Sequence, residues 1–316
     1  MFRRRQRSTP EGEHRPVMLA EVLEILAPQP GEVVVDCTLG FGGHAAELLA
    51  KVGATGKLIG FDLDGQNLPQ VEEQLQTLGH PFRLHHGNFA GFPTILAEEA
   101  PEGGDCLLAD LGMSSMQVDD AERGFSFMRD GPLDMRMDTS RGRTAADLLA
   151  TLTVEEMTTA FREIGDEPEA EKIAEAIAAT RDATPLLRTR QLMELILEAA
   201  PVHINPNPLK GEPSPRQQRI RPTARVFQTL RILVNRELAN LQELLRVLPW
   251  CLKPGGRAAI ISFHSGEDRL IKAAFREGIR SGLYERISAD PIRPTLDERF
   301  TNPRSRSAKL RWAIRG

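Results

Sequence analysis

The chain has 316 residues, 41% hydrophobic and 27% charged, with a net charge of -4, a globular composition with room for one large domain or two modest ones. Three scattered cysteines, Cys37, Cys106 and Cys251, with no C-x-x-C pair exclude a disulfide framework and a structural zinc site and suit a reducing compartment. No apolar run approaches the roughly 18 residues of a membrane span, and none follows the basic N-terminus as a secretory signal would, so the expectation is a cytoplasmic protein with no membrane anchor and no metal.

Residues 1–13 are charged and aperiodic, and are expected to form a mobile tail. Apolar residues at helical spacing follow and stop at Pro28. From Val33 the pattern alternates: strand 33–37, helix 43–52, strand 57–62, helix 66–78, strand 82–86, helix 92–100, strand 105–110. Such alternation means parallel β-α-β units in a doubly wound sheet. After Asp110 it breaks. Residues 113–215 contain no convincing strand but several helices: Thr153 with Glu156 three places on forms a capping box, and 166–181 and 189–200 carry apolar residues at i, i+3 and i+4. A helical domain is therefore expected at 113–215, inserted between two parts of a sheet domain at 14–112 and 216–316, with the Pro-, Asn- and Gly-rich stretch 202–219 as the returning linker. One long amphipathic helix from Thr223 to a turn at Lys253–Gly256, a strand at 257–263, a helix from Glu267 and a closing strand over SAKLRWAI complete the reading.

The chemistry concentrates at DCTLGFGGH, Asp36 to His44, between a strand and a helix. Gly40, Gly42 and Gly43 let the backbone turn sharply and lie against a nucleotide-like ligand, with which side chains there would collide. Asp36 precedes these glycines, and Asp62 ends the next strand, where ribose hydroxyls are usually held. An acid at the first place opposes a pyrophosphate and favours a cation. S-adenosylmethionine, with its ammonium and sulfonium, fits better than NAD. Packing alone also puts Gly-rich turns at the ends of many α/β strands. Asp110 closes the fourth strand, at the edge where reacting groups gather in open α/β sheets. It is expected to face the cofactor's reactive end and to accept an N–H of an exocyclic amine, localising the nitrogen lone pair; the structural alternative is a helix cap.

Residues 114–138, SSMQVDDAERGFSFMRDGPLDMRMD, are irregular yet not flexible in composition, which usually marks function. Phe125 or Phe127 can stack on a base while Arg123, Arg129 and Arg136 meet phosphates; the Phe and Met residues serve equally well as packing cement. Arginine outnumbers lysine 33 to 7. Two runs of positive sign, 214–236 with Arg225 in it and the stretch from Arg299 onward, suit phosphate contacts, although charge runs are most often solvated faces. His264 in FHSGEDR stands at a strand end as a base or, in preference, as a helix cap. A homodimer through the arginine-rich helix at 222–245 is left open.

Taken together, DCTLGFGGH, DLGMSSMQVDDAERGFSFMRDGPLDMRMD, FHSGEDR and NPRSRSAKLR resemble the bacterial 16S rRNA (cytosine-N4)-methyltransferase family, known as MraW, from about His14 to the C-terminus. The resemblance implies a class I S-adenosylmethionine-dependent methyltransferase, an α/β Rossmann-like doubly wound sheet with an inserted all-helical domain for RNA recognition. It implies methylation of the N4 amine of a cytidine in the decoding centre, with 16S rRNA of the small ribosomal subunit as partner. Carried over, cofactor contacts fall on Gly42, Gly43, His44, Asp62, Phe89, Asp110 and Gln117, with Phe89 on the adenine. Asp110 then acts in catalysis as hydrogen-bond acceptor, and Ser114 and Ser115 help to place the base. The chain departs from the family at Gly266, usually Leu, at Ile164-Gly165-Asp166-Glu167, usually Tyr-Gly-Glu-Glu, and at Arg221-Pro222-Thr223-Ala224-Arg225, usually His-Pro-Ala-Thr-Arg. The rivals are amino-methylation of DNA or another RNA, and a cofactor-dependent RNA-binding protein without turnover. DLGM in place of an Asn/Asp-Pro-Pro-Tyr motif counts against DNA, and Asp36 against NAD-dependent reduction.

Overall fold

The structure, a computed structural model, describes residues 15–209 and 212–316. The tail expected at 1–13 lies outside the described residues. The chain forms two compact units, one of Met1–Ser114 with Leu238–Gly316 and one of Ser115–Glu237.

In the first unit α1 (Leu19–Leu26) leads to β1 (Val33–Asp36), α2 (Gly43–Val52), β2 (Lys57–Asp62), α3 (Leu68–Gln76), β3 (Phe82–His86), α4 (Phe92–Glu99) and β4 (Gly104–Asp110). These are the alternating elements that the apolar runs imply, with ends shifted by a residue or two. β1, β2 and β4 are apolar almost throughout because both faces of the sheet are covered. Val34, Leu58 and Leu108 pack with Leu48 and Leu26 on one face, while Val35, Ile59 and Leu107 pack with Phe92 and Phe275 on the other.

The second unit holds α5 (Ser115–Asp119), α6 (Ala145–Thr151), α7 (Val154–Glu163), α8 (Ala170–Arg181), α9 (Thr189–Ala199) and α10 (Pro215–Asn235). Thr153 and Glu156 form the capping box at the start of α7, and Thr144 with Asp147 forms another at α6. Its helices bury Met157, Phe161, Ile173, Ile177, Leu192, Ile196, Val226 and Leu230.

The chain returns through α11 (Glu237–Cys251) to β5 (Leu252–Ser262), α12 (Ser265–Arg280), β6 (Tyr284–Ile287), α13 (Leu296–Thr301) and β7 (Lys309–Arg315). The sheet order is β3-β2-β1-β4-β5-β7-β6; β7 runs antiparallel to β5 and β6, and the pairings among β1 to β5 are parallel. This is the expected class I sheet.

Two expectations need correction. The long helix from Thr223 is two helices, broken at Arg236, whose φ of 53° is left-handed. The first of them begins at Pro215, inside the expected linker, and belongs to the helical unit. β6 is an additional edge strand; its four residues include two charges and give no apolar run to read.

Candidate active site

The adjacent strands β2, β1 and β4 each end in an aspartate: Asp62, Asp36 and Asp110. Each strand stops where the chain must leave the ladder, and the carboxylate there takes up backbone N–H groups that the turn leaves over. Asp36 is fully buried. Its Oδ1 accepts the N–H of Thr38 at 3.0 Å, while Oδ2 has no hydrogen-bond partner. Asp62 accepts the N–H of Gly40 at 2.6 Å and that of Asp64 at 2.7 Å. Asp110 uses Oδ1 for the N–H of Gly112 at 3.1 Å, and its own N–H goes to Thr38 Oγ1 at 2.6 Å.

Packing three acids at one edge costs ionisation. Burial pushes the Asp36 carboxyl up to about 7, and the negative charges of Asp110 and Asp62 add to the effect. Asp62 is pushed up to about 6, again by burial first. Asp110 is also raised by burial, with the nearby His44 opposing. His44 is 7% exposed, and burial holds its ring below the ordinary range. His44 Nε2 lies 3.0 Å from the carbonyl of Val17; a carbonyl only accepts, so Nε2 carries the proton and Nδ1 of the neutral ring is an acceptor. That Nδ1 lies 3.9 Å from Asp110 Oδ2. Two acceptors thus face one another at the strand end.

The glycines divide by role. A side chain at Gly42 would meet Val71 at 2.8 Å and one at Gly43 would meet Pro16 at 2.6 Å, so these two are small for packing within the protein. Gly40, with φ of 53°, has nothing within 4 Å of where a side chain would begin, and it is the one whose open side can take a ligand. Phe89 follows β3 in a single 3-10 turn, half-buried against the cluster that holds Phe61 and Phe92.

Sequence reasoning passes over Thr38 and Gly112. Thr38 ties β1 to β4 by bonding the residues that end both. A Cβ on Gly112 would come within 3.0 Å of the Phe263 ring and 3.1 Å of Asp110 Oδ1, so this glycine lets an aromatic face sit beside the carboxylate. His264 is the N-cap of α12: its Nδ1 receives the N–H of Glu267 at 3.5 Å, and the buried Glu267 accepts the N–H groups of Phe263 and His264 at 2.8 and 3.3 Å. Capping, the preferred reading of the motif, is what this geometry provides.

Ser114, half-buried, ends the first segment of the sheet unit; Ser115 opens the helical unit, its side chain outside the described residues. The other candidates belong to the helical unit. Gln117 is buried in α5. Arg123 is 8% exposed and donates from Nη2 to the carbonyls of Arg136 and Met137 at 3.0 and 2.9 Å. Its guanidinium lies over Phe125, itself 8% exposed. Phe127 meets Phe227 edge-on at 5.2 Å. Arg136 grips Asp134 with two bonds of 2.8 Å, Arg225 Nη1 lies 3.3 Å from buried Glu167, and Arg129 donates to the carbonyl of Asp119. Arg123, Phe125, Phe127, Arg129, Arg136 and Arg225 each have a partner within the helical unit.

Among the described residues no group of three or more His, Cys, Asp or Glu side chains is placed to hold a metal ion, and no helix is long and apolar enough to cross a membrane. A ligand bearing positive charge and N–H donors fits the strand ends, because it satisfies the orphaned Asp36 Oδ2 and relieves the repulsion among the three acids. S-adenosylmethionine has both. Asp36 and Asp62, with the open side of Gly40, are placed so that they could hold it.

Comparison with known proteins agrees with this chemistry. The ribosomal RNA small subunit methyltransferase H of Syntrophotalea carbinolica is 46% identical over 318 residues, covering 96% of this chain and 98% of that protein. The protein of the same name from Geobacter sulfurreducens is 44% identical over 315 residues, covering 95% and 98%. Among solved structures, TrmN from Thermus thermophilus is similar over 95% of this chain and 48% of its own, at 12% identity and a TM-score of 0.43. The model of the MraW methylase family matches residues 11–315, and the chain belongs to that family.

Proposed function

We propose that this protein transfers the methyl group of S-adenosylmethionine to the N4 exocyclic amine of one cytidine in the decoding region of 16S rRNA, acting in the cytoplasm on the small ribosomal subunit. The observation that carries the reading is the set of acceptors at the strand ends: Asp36 Oδ2 without a partner, and Asp110 Oδ2 facing His44 Nδ1. The relatives' names supply the RNA, and the family resemblance supplies the cytidine.

When bound, the cofactor supplies an electrophilic methyl on a sulfonium. The protein's part is positioning and proton acceptance. Asp62 is fixed by two backbone N–H groups and offers its remaining lone pairs to ribose hydroxyls. Asp110 has one oxygen held by Gly112, which leaves Oδ2 for an amine N–H. The bond draws the nitrogen lone pair out of conjugation with the ring and aims it. Burial makes Oδ2 a better proton acceptor than a solvated carboxylate, so the proton displaced from the amine has a place to go. Ser114, Ser115 and Gln117 take the base-placing and cofactor roles that the family resemblance gives them.

Transfer of labelled methyl tests the reading on small subunits lacking their own cytidine methylation, on the same RNA stripped of protein, and on duplex DNA. The expected outcome is label on small-subunit RNA at N4 of one cytidine. Label on DNA alone, or RNA binding without formation of S-adenosylhomocysteine, would sink it. Asp110→Asn is expected to lower turnover about 100-fold or more while the cofactor still binds; turnover within a few-fold of wild type would remove Asp110 from catalysis.

A further inference from the structure

The pairing of the last strands places residues 293–308 on the catalytic edge of the sheet. β5 ends at Ser262, which pairs with Lys309, the first residue of β7. The chain that leaves β6 runs alongside β7 and bridges it once more, Ile292 to Leu310. Everything between Ile292 and Lys309 is therefore an excursion from the edge where Asp36, Asp62 and Asp110 end their strands.

The excursion is built to hold a fixed shape. Asn302 and Ser305 are buried while Arg304 and Arg306, which alternate with them, are exposed. Asn302 Nδ2 donates to the carbonyl of Arg15 at 3.2 Å, and Ser305 Oγ and N–H both go to the Asn302 carbonyl, at 2.9 and 3.0 Å. Glu298 accepts the N–H of Met18 at 2.8 Å. The segment anchored by these bonds is the one whose Val17 carbonyl orients His44. On α13, Leu296 is 82% exposed and Phe300 59%. The excursion carries four arginines, Arg293, Arg299, Arg304 and Arg306, against two acids, Asp297 and Glu298.

The cations of the C-terminal basic run that lie on β7 are half-buried or buried and pair within the fold. Lys309 and Arg311 both pair with Asp268, at 3.0 and 2.7 Å, and Arg315 donates to the carbonyl of Leu252. Arg304 and Arg306 differ from these in exposure: Arg306 is fixed by its Nε, which donates to the carbonyl of Arg299 at 3.2 Å, yet both side chains are exposed, on the same turn as the exposed Phe300.

We infer that the turn formed by α13 and the 3-10 segment Pro303–Ser307 is an RNA-docking surface, in which Arg304 and Arg306 bind phosphates flanking the target nucleotide and Phe300 stacks on an unpaired base. The inference rests on the proposed RNA substrate. Rigid display lowers the ordering cost of each contact, and phosphate with aromatic stacking is the pairing that single-stranded RNA offers.

The test is steady-state methylation of small-subunit RNA by wild type, R304E/R306E and Phe300→Ala. Arg280→Ala and Trp250→Ala serve as controls, since both side chains are exposed at helix ends that lead into strand starts, on the opposite edge of the sheet. R304E/R306E is expected to raise KM for RNA tenfold or more, with cofactor affinity unchanged, and to flatten the slope of log kcat/KM against log salt by about 1.5, as for two lost phosphate contacts. Phe300→Ala is expected to raise KM about fivefold or more without changing the salt slope. If wild type methylates RNA while R304E/R306E keeps the KM and slope of Arg280→Ala, the docking surface is wrong and the enzyme reading stands. If wild type methylates no RNA at all, both fall together.

Discussion

Asp36 cannot be ionised cheaply: it is fully buried, one oxygen lacks a partner, and two further carboxylates lie beside it. Its folded pKa of about 7, and that of about 6 for Asp62, stand above the ordinary value of 3.8. A carboxyl raised in this way stabilises the fold below its unfolded pKa and loses that contribution as pH climbs through the folded one. The free protein is therefore expected to lose stability from pH 3.8, where the unfolded carboxyls ionise, up to about pH 7, where the folded Asp36 does. A cationic ligand should recover it, so the rise in Tm on adding S-adenosylmethionine should be larger at pH 8 than at pH 6. Asp36→Asn removes the titration. Its free form is expected to melt higher than wild type at pH 8 and close to it only below the ordinary carboxylate value of 3.8, with weaker cofactor binding. A difference in Tm that does not vary with pH would show that Asp36 does not titrate in this range.

Helix α12 shows how an element holds the site. Glu267 is 2% exposed and caps two backbone N–H groups that the turn after β5 would otherwise leave without partners. Glu267→Ala orphans both and is expected to cost about 2–3 kcal/mol in denaturant unfolding, while Glu267→Gln, which keeps an acceptor oxygen, should cost about half as much. Equal losses would mean that the charge matters more than the caps. The elements of the sheet unit are legible in the sequence because buried parallel strands leave apolar runs and helices leave their own period; the acids that end β1, β2 and β4 stand out against those runs. What is hidden depends on long-range contacts. No sequence spacing shows that Arg225 meets Glu167, or that Lys309 and Arg311 share Asp268, so a run of arginines reads as one surface when only part of it faces outward. The break between α10 and α11 falls at an arginine with φ of 53° rather than at a glycine, while Pro222 and Pro249 lie inside helices; the usual signals of a helix end point elsewhere.

At the scale of the molecule, the chain is divided between two units with their own cores, and protection is uneven within the helical one. Between α9 and α10 the described residues from Pro201 to Leu209 carry no regular structure, and Leu209 is 75% exposed. Limited proteolysis is expected to cut there first, and the nicked protein should still bind S-adenosylmethionine through the sheet unit; first cleavage within α2 or α12 would contradict this assignment of strength. The insertion also separates two strands that lie side by side. β4 ends at Asp110 and its neighbour β5 begins at Leu252, so about 140 residues must be translated between them, roughly seven to thirty seconds of synthesis at about 5–20 residues per second. During that interval the nascent chain holds four strands with one edge of β4 unpaired, and the helical unit is complete before the sheet that it interrupts. The strands that end in Asp36, Asp62 and Asp110 are thus among the first to be made, and the sheet around them closes last, when β5 and then β7 arrive.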